Sequence, residues 1–255
     1  MGLLGRGDSQ PVIAGYTGSD SPFLFICDHA GREIPAGLGR LGLSDAQLDL
    51  HIAWDIGAAA VTRRLSASLG APFILQRYSR LVVDCNRDPG TPDAIATVSD
   101  GVVIPGNQDL DAAARRARIE AIHKPYHGAI AAVLDERLRR GLPTIPVFLH
   151  SFTPSMGGVT RPWRFGVIRE PSSRFSRKIL EILQAVGGFE VGDNLPYGLD
   201  GTDYSLPTHA LSRGLDYLEL EMRQDIVAGE PGQTAAVAVL HKALVEAASA
   251  LYGLC

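Results

Sequence analysis

Cysteine is scarce. The 255 residues contain three, Cys27, Cys85 and Cys255, with no CxxC pair. Such a set builds no disulfide framework and fits a reducing compartment, so a cytoplasmic protein is expected. Excess positive charge is also missing: the net charge is -4, which does not suggest a nucleic-acid-binding surface. No run of 18 apolar residues occurs, so neither a transmembrane helix nor a membrane partner is expected. The opening residues, MGLLGRGDSQPVIAG, lack a long apolar core followed by a small-residue cleavage site and do not read as a signal peptide. Arg6 stands where N-myristoylation after Gly2 wants Ser or Thr. Internal repeats and low-complexity tracts are absent from the sequence.

What is present is enough for one large core. Hydrophobic residues make up 45% of the chain, and a single domain over residues 1–255 is expected, with residues 1–21 as an irregular arm. Continuous apolar runs at residues 23–27, 71–76, 81–83, 145–149, 165–168 and 216–222 read as strands, most of them buried on both faces. Helical patterns alternate with them. One runs from Ser44, a candidate N-cap, to Gly70, with a possible break near His51. Another runs from Asp109 or Asp111 to Arg140, with a kink expected at Pro125 because proline lacks an amide donor. Two more cover residues 172–186 and 231–251. Residues 88–108 read as a long functional loop, and residues 192–213 as an insertion over the same edge. The alternation predicts an α/β fold, with a mixed, mainly parallel sheet between two helical layers.

Three of the apolar runs finish in polar side chains: Cys27 leads into Asp28-His29, Leu149 into His150, and Leu218 into Glu219-Leu220-Glu221. In a parallel sheet these carboxyl ends lie on one side, so the groups can converge. Two histidines and a carboxylate make a zinc set that leaves one position for water. The third ligand is Asp55, His51 or Glu33; His51 and Asp55, four apart, share a face if their segment is helical. Glu219 and Glu221, two apart, share a strand face, and either could act as a base. The stretch Tyr78-Ser79-Arg80 through Asp84-Cys85-Asn86-Arg87 puts two guanidiniums and an amide near a strand end, a grip suited to a carboxylate. Arg161 and Arg164 could clamp a second carboxylate. Thr202-Asp203-Tyr204 with His209 forms a weaker polar cluster. His123 and His127 are four apart, but Lys124 stands where a zincin motif needs Glu, which favours a supporting role.

Taken in order, these motifs resemble the N-formylglutamate amidohydrolase family, itself similar to the zinc carboxypeptidase and aspartoacylase group. They are Cys27-Asp28-His29-Ala30, His51-Ile52-Ala53-Trp54-Asp55-Ile56-Gly57-Ala58, the Tyr78 to Arg87 stretch, Ile122-His123-Lys124-Pro125-Tyr126-His127, His150-Ser151-Phe152-Thr153-Pro154, Gly192-Asp193-Asn194-Leu195-Pro196-Tyr197 and Glu219-Leu220-Glu221-Met222-Arg223-Gln224-Asp225. They span roughly residues 24–226. The resemblance implies a zinc-carboxypeptidase-like fold and one zinc ion held by His29, Asp55 and His150. The group's carboxylate ligand usually follows the first histidine by three residues; Arg32 stands there, so the role passes to Asp55. It further implies Glu221 as the catalytic base, Arg80 on the scissile carbonyl, and Asn86 and Arg87 on the substrate carboxylate. Beside these, Arg161 is expected at a side-chain carboxylate, and Tyr204 and His209 of the loop cluster as further substrate contacts. The implied reaction converts N-formyl-L-glutamate to L-glutamate and formate, as in histidine degradation. Two alternatives stand beside it: hydrolysis of another N-acyl amino acid or amide, and a non-catalytic module that binds an acidic metabolite. A monomer or small homo-oligomer acting on a small molecule is expected.

Overall fold

The structure, a computed structural model, describes residues 2–254; Met1 and Cys255 lie outside the described residues. In chain order its strands are β1 (Val12–Gly15), β2 (Phe23–Cys27), β3 (Phe73–Gln76), the hairpin β4 (Val98–Ser99) and β5 (Val102–Val103), β6 (Ile145–Phe152), the hairpin β7 (Ser155–Met156) and β8 (Val159–Thr160), β9 (Phe165–Ile168), β10 (Val191–Asp193) and β11 (Leu218–Arg223). Its α-helices are α1 (Asp45–Leu48), α2 (Ala58–Leu69), α3 (Ala112–Arg118), α4 (Lys124–Arg139), α5 (Arg174–Val186), α6 (Ser205–His209), α7 (Gln224–Val227) and α8 (Glu230–Tyr252).

Seven strands form one sheet in the order β1-β3-β2-β6-β11-β9-β10. The central four, β3, β2, β6 and β11, are parallel, so their carboxyl ends lie on the same side. Strand β1 joins β3 antiparallel, and β9 joins β11 antiparallel with β10 parallel to β9. Alternate residues of the buried strands feed two cores. On one face Phe25, Val147 and Leu220 meet Val61 of α2, Ile179 of α5 and Leu240 of α8. On the other, Ile26 and Phe148 meet Ile122, Tyr126 and Ile130 of the α4 region and Leu206 of α6. This is the three-layer, mainly parallel α/β arrangement expected from the alternation of strand and helix patterns.

Several local expectations are corrected. Residues 1–21 are not wholly irregular, because β1 lies within them and completes the sheet edge. Residues 81–83 are buried but form no strand. Side chains take the carbonyls a neighbouring strand would have bound: Asn107 Nδ2 donates to Leu81 O and the buried Arg118 guanidinium to Val82 O. The helical pattern from Ser44 to Gly70 is two helices. Ser44 does cap α1 through a capping box, but residues 49–57 run as turns. Tertiary bonds outbid the helix there: Asp55 N donates to His29 O, and Ala53 O accepts from Ser79 Oγ. Gly57 then starts α2 at a φ of 82°, where a Cβ would lie 2.2 Å from Val227 O. His51 and Asp55 therefore share no helix face.

The long helix expected through Pro125 runs unbroken from α3 into α4 by way of a π-turn, Ile119–His123, and Pro125 follows two residues after that turn, which takes up the local change in hydrogen bonding. Residues 88–108 contain the β4–β5 hairpin and two 3-10 turns, and the segment read as an insertion supplies edge strand β10. Helix α8 is long and apolar enough, by length and composition alone, to cross a membrane. His241, Lys242 and Glu246 interrupt its apolar run, and Leu240, Ala243, Leu244 and Ala247 pack into the first core.

Candidate active site and metal centre

The carboxyl ends of the parallel strands build the site. Strand β2 stops at Cys27 and delivers Asp28 and His29. Strand β6 carries His150, and β11 places Glu221 directly beside it in register. Leu218, Leu220 and Met222 face the opposite core, so Glu219 and Glu221 both point to the cavity side. Asp55 comes from the turn before α2. The cavity holds about 290 Å3, and its lining includes His29, Asp55, Arg80, His150, Glu219 and Glu221.

His29, Asp55 and His150 are all buried, and one ligand atom of each lies within 4.8 Å of the other two. Asp55 Oδ2 is 3.4 Å from His29 Nδ1 and 3.1 Å from His150 Nδ1. The far nitrogens face carboxylates: His29 Nε2 lies 2.7 Å from Asp84 Oδ1, and His150 Nε2 lies 3.4 Å from Asp28 Oδ2. Asp28 Oδ1 in turn accepts from the Tyr126 and Ser205 hydroxyls, each at 2.8 Å. Behind His29, the Asp84 carboxylate fixes the tautomer that leaves Nδ1 free as a ligand, whereas His150 hydrogen-bonds Asp55 Oδ2 through Nδ1 and has no hydrogen-bond partner at Nε2. His29 Nδ1 is a buried nitrogen with no hydrogen-bond partner, as a ligand atom facing a cation would be. Two imidazoles and one carboxylate are the donor set of a zinc-type ion, and the residues fit one.

The electrostatics point the same way. Burial opposes charge on both rings, yet the surrounding carboxylates win: Asp84 and Asp55 raise His29, and Asp28 and Asp55 raise His150 well above the ordinary histidine range. Burial likewise lifts Asp55 and Asp84, but His29 and His150 drive the first down, and Arg80 and His29 hold the second well below the carboxylate range. The cluster is thus built to hold positive charge. The two glutamates behave oppositely. Burial pushes Glu221 up to about 7, and burial followed by the nearby Asp203 raises Glu219 well above its ordinary value. Each has a buried Oε2 without a hydrogen-bond partner.

Arg80 lines the cavity and is held by Asp84, whose Oδ2 accepts from Nη2 at 2.7 Å and Nε at 3.1 Å. Arg87 lines it too, 3.4 Å from Asp203. Asn86 reaches the lining, but its amide is engaged: Oδ1 accepts from Tyr204 N and Ser205 N, and Nδ2 donates to Asp203. Arg161 stands behind the rim, donating to Tyr197 Oη at 3.0 Å and Thr153 Oγ1 at 3.2 Å. Tyr204 and His209 lie off the cavity lining, because both turn inward onto His127. Of the other candidate ligands, His51 lines the cavity 3.2 Å from Asp100, and Glu33 is paired with Arg77; neither joins the metal cluster.

The profile of the N-formylglutamate amidohydrolase family matches residues 21–228, from β2 through α7. The chain belongs to the N-formylglutamate amidohydrolase family. It is an amidohydrolase, acting on an amide bond. A solved gene product of Agrobacterium tumefaciens is 37% identical to it, with a TM-score of 0.94 over 98% of this chain and 99% of that one. A solved N-formylglutamate amidohydrolase from Ralstonia eutropha shares the fold at a TM-score of 0.68 and 18% identity, covering 96% of this chain and 100% of its own. No protein of curated function matches the amidohydrolase. Two site residues escaped the reading of the sequence, Asp28 and Asp84. Asp28 carried a signal, since a carboxylate next to a strand-end histidine is a candidate partner for a ring. Asp84 lies 55 residues from His29 and had none beyond membership of a polar run.

Proposed function

We propose that this amidohydrolase hydrolyses an N-formyl amino acid, N-formyl-L-glutamate first among them, with the help of one divalent ion of the zinc type. The observation that carries the reading is the buried His29–Asp55–His150 cluster beside Glu221 and Arg80 in one cavity. Those three residues would hold the ion, which when bound supplies Lewis-acid charge for the carbonyl oxygen and lowers the pKa of water. Glu221 is the base. Its Oε2 has no partner, and it is next to His150 in register but nearer the mouth than Glu219, whose Oε1 sits 3.9 Å from the far nitrogen of His150. It takes the proton of the attacking water and passes it to the leaving nitrogen, a role suited to a group titrating near neutrality. Arg80, locked by Asp84, offers its remaining N–H groups to the developing oxyanion. Arg87 holds the α-carboxylate. Arg161, which makes no carboxylate pair among the described residues and donates to the cavity-lining Tyr197 and Thr153, would meet a second carboxylate, and this favours a glutamate side chain.

Asn86 contributes by tethering the Asp203–Ser205 segment over the cavity. The unpaired, buried Cys27 and Cys85 suit a reducing, cytoplasmic setting. The decisive experiment is formate release from N-formyl-L-glutamate, with and without a chelator. Turnover that the chelator abolishes and zinc restores supports the reading. Turnover of N-acetyl but not N-formyl amino acids would move the substrate to another acyl group. Binding of glutamate with no metal and no turnover would favour a non-catalytic module.

A further inference from the structure

Three histidines outside the metal cluster form a second buried array. His123, at the end of the π-turn, and His127 on α4 have ring centroids 4.4 Å apart. His209, at the end of α6, stacks on His127 at 5.1 Å with 14° between the rings. The Tyr204 ring stands edge-on to His123 and His127. All three histidines are buried. The i, i+4 spacing of His123 and His127 suggests a metal pair, but their nitrogens are spent otherwise. His127 Nε2 lies 2.8 Å from Cys85 O, and His123 Nε2 lies 3.1 Å from Arg87 O.

A carbonyl only accepts, so each of these Nε2 atoms must carry a hydrogen. His127 Nδ1 is then a lone pair, and the His209 Nε2 at 2.8 Å must donate to it. In neutral rings, which burial favours for all three histidines, these contacts fix one tautomer for each, with the hydrogen on Nε2 throughout. Two of these hydrogens end on backbone carbonyls that flank Asn86, within the segment that carries the Arg87 side chain. The segment has other tethers as well: Asn86 N donates to Asp84 Oδ1 at 2.8 Å, Arg87 N to Asp84 O at 3.3 Å, Ser205 Oγ to Cys85 O at 3.5 Å and Arg87 Nη1 to Thr202 O at 3.3 Å, and Asn86 Oδ1 accepts from Tyr204 N and Ser205 N. The histidines alone tie the Cys85 and Arg87 carbonyls to the π-turn and α4 behind them, and without them that anchor is lost.

We infer that His123, His127 and His209 are positioning residues, which hold the backbone of residues 85–87 so that Arg87 meets the substrate carboxylate. Helix α4 also sends Tyr126 to Asp28 and so to His150, so the π-turn and α4 together support both halves of the site through different residues. The inference rests on the proposed role of Arg87 for its kinetic effect, but not for its tautomers.

The test has two arms. In the metal-loaded enzyme, His127→Phe keeps ring volume and removes both hydrogen bonds. It should raise KM for N-formyl-L-glutamate about tenfold, the worth of one ordinary hydrogen bond, with kcat within about twofold and metal stoichiometry unchanged. His127→Gln, which still presents an amide donor to Cys85 O, should recover most of the KM. A fall in kcat at constant KM, loss of metal, or a Gln variant no better than Phe would overturn the inference. The second arm needs no substrate: nitrogen NMR of the wild-type rings at pH 7.5 should show all three histidines protonated on Nε2 only. A ring carrying its hydrogen on Nδ1, or on both nitrogens, overturns it. If wild type fails to hydrolyse N-formyl-L-glutamate but the rings show the expected tautomers, it is the substrate reading that fails.

Discussion

Asp84→Asn is the substitution that separates this site from a generic polar pocket. Asp84 binds three things at once: His29 Nε2 at 2.7 Å, the Arg80 guanidinium through two hydrogen bonds, and Asn86 N at 2.8 Å. Asparagine keeps the shape and can still accept from His29 and Asn86 through Oδ1. Its Nδ2, however, presents hydrogens to Arg80, and the charge that holds both cations is gone. Breaking a buried pair by removing one partner costs about 3–5 kcal/mol. Arg80 is 27% exposed at its side chain, so water recovers part of that, and a net loss of about 2 kcal/mol is expected. Loss of the carboxylate behind a ligating imidazole typically weakens metal binding by about 10–100-fold. Zinc affinity from chelator competition, a urea unfolding curve and kcat/KM should therefore all fall together. A variant with wild-type zinc affinity would show that His29 does not hold the ion through Nδ1, and would refute the site as described.

The strands were legible because burial on both faces leaves unbroken apolar runs, and the polar residues that end them mark the side where the site forms. His29, His150, Glu219 and Glu221 could be read in this way. Asp55 could not be read from local pattern, since its segment looks helical and becomes a turn only through bonds to His29 O and Ser79 Oγ, made across 20 to 30 residues of chain. The strand expected at residues 81–83 failed for a related reason. An apolar run shows that a segment is buried, but not what binds its carbonyls, and here Asn107 and Arg118 do so. Tyr204 and His209 looked like site residues because polar groups on a loop near the sheet edge usually are. Their partner, His127, comes from a distant helix, and no spacing in the sequence connects them.

Three further outcomes follow from the same geometry. Glu221→Gln should bind zinc as wild type does and lose about 10³-fold in kcat, measured by formate release, because the amide cannot accept the proton of water; near-normal turnover would remove Glu221 from the base role. Arg161→Ala should raise KM for N-formyl-L-glutamate by about tenfold or more yet leave N-formyl-L-alanine unaffected, and an equal effect on both would show that Arg161 does not read the side chain. The third outcome concerns acid. Burial holds His127 down to about 3 and His209 down to about 4, against about 6.5 when unfolded. Both folded-state values are depressed, so the unfolded chain binds more protons between about pH 6.5 and 4. The stability they contribute is present above 6.5 and is lost as pH falls through that window, at about 1.4 kcal/mol per pH unit for each ring. Between pH 6.5 and 5 the two rings should thus remove up to about 4 kcal/mol. His29 and His150 carry raised values in the ion-free state and would act in the opposite direction, so the comparison belongs in zinc-loaded protein, wild type against the double substitution His127→Gln with His209→Gln. Urea unfolding at a series of pH values should show a steeper acid loss for wild type. Parallel slopes would mean that the buried pair accepts a proton without cost, against the burial that lowers both values.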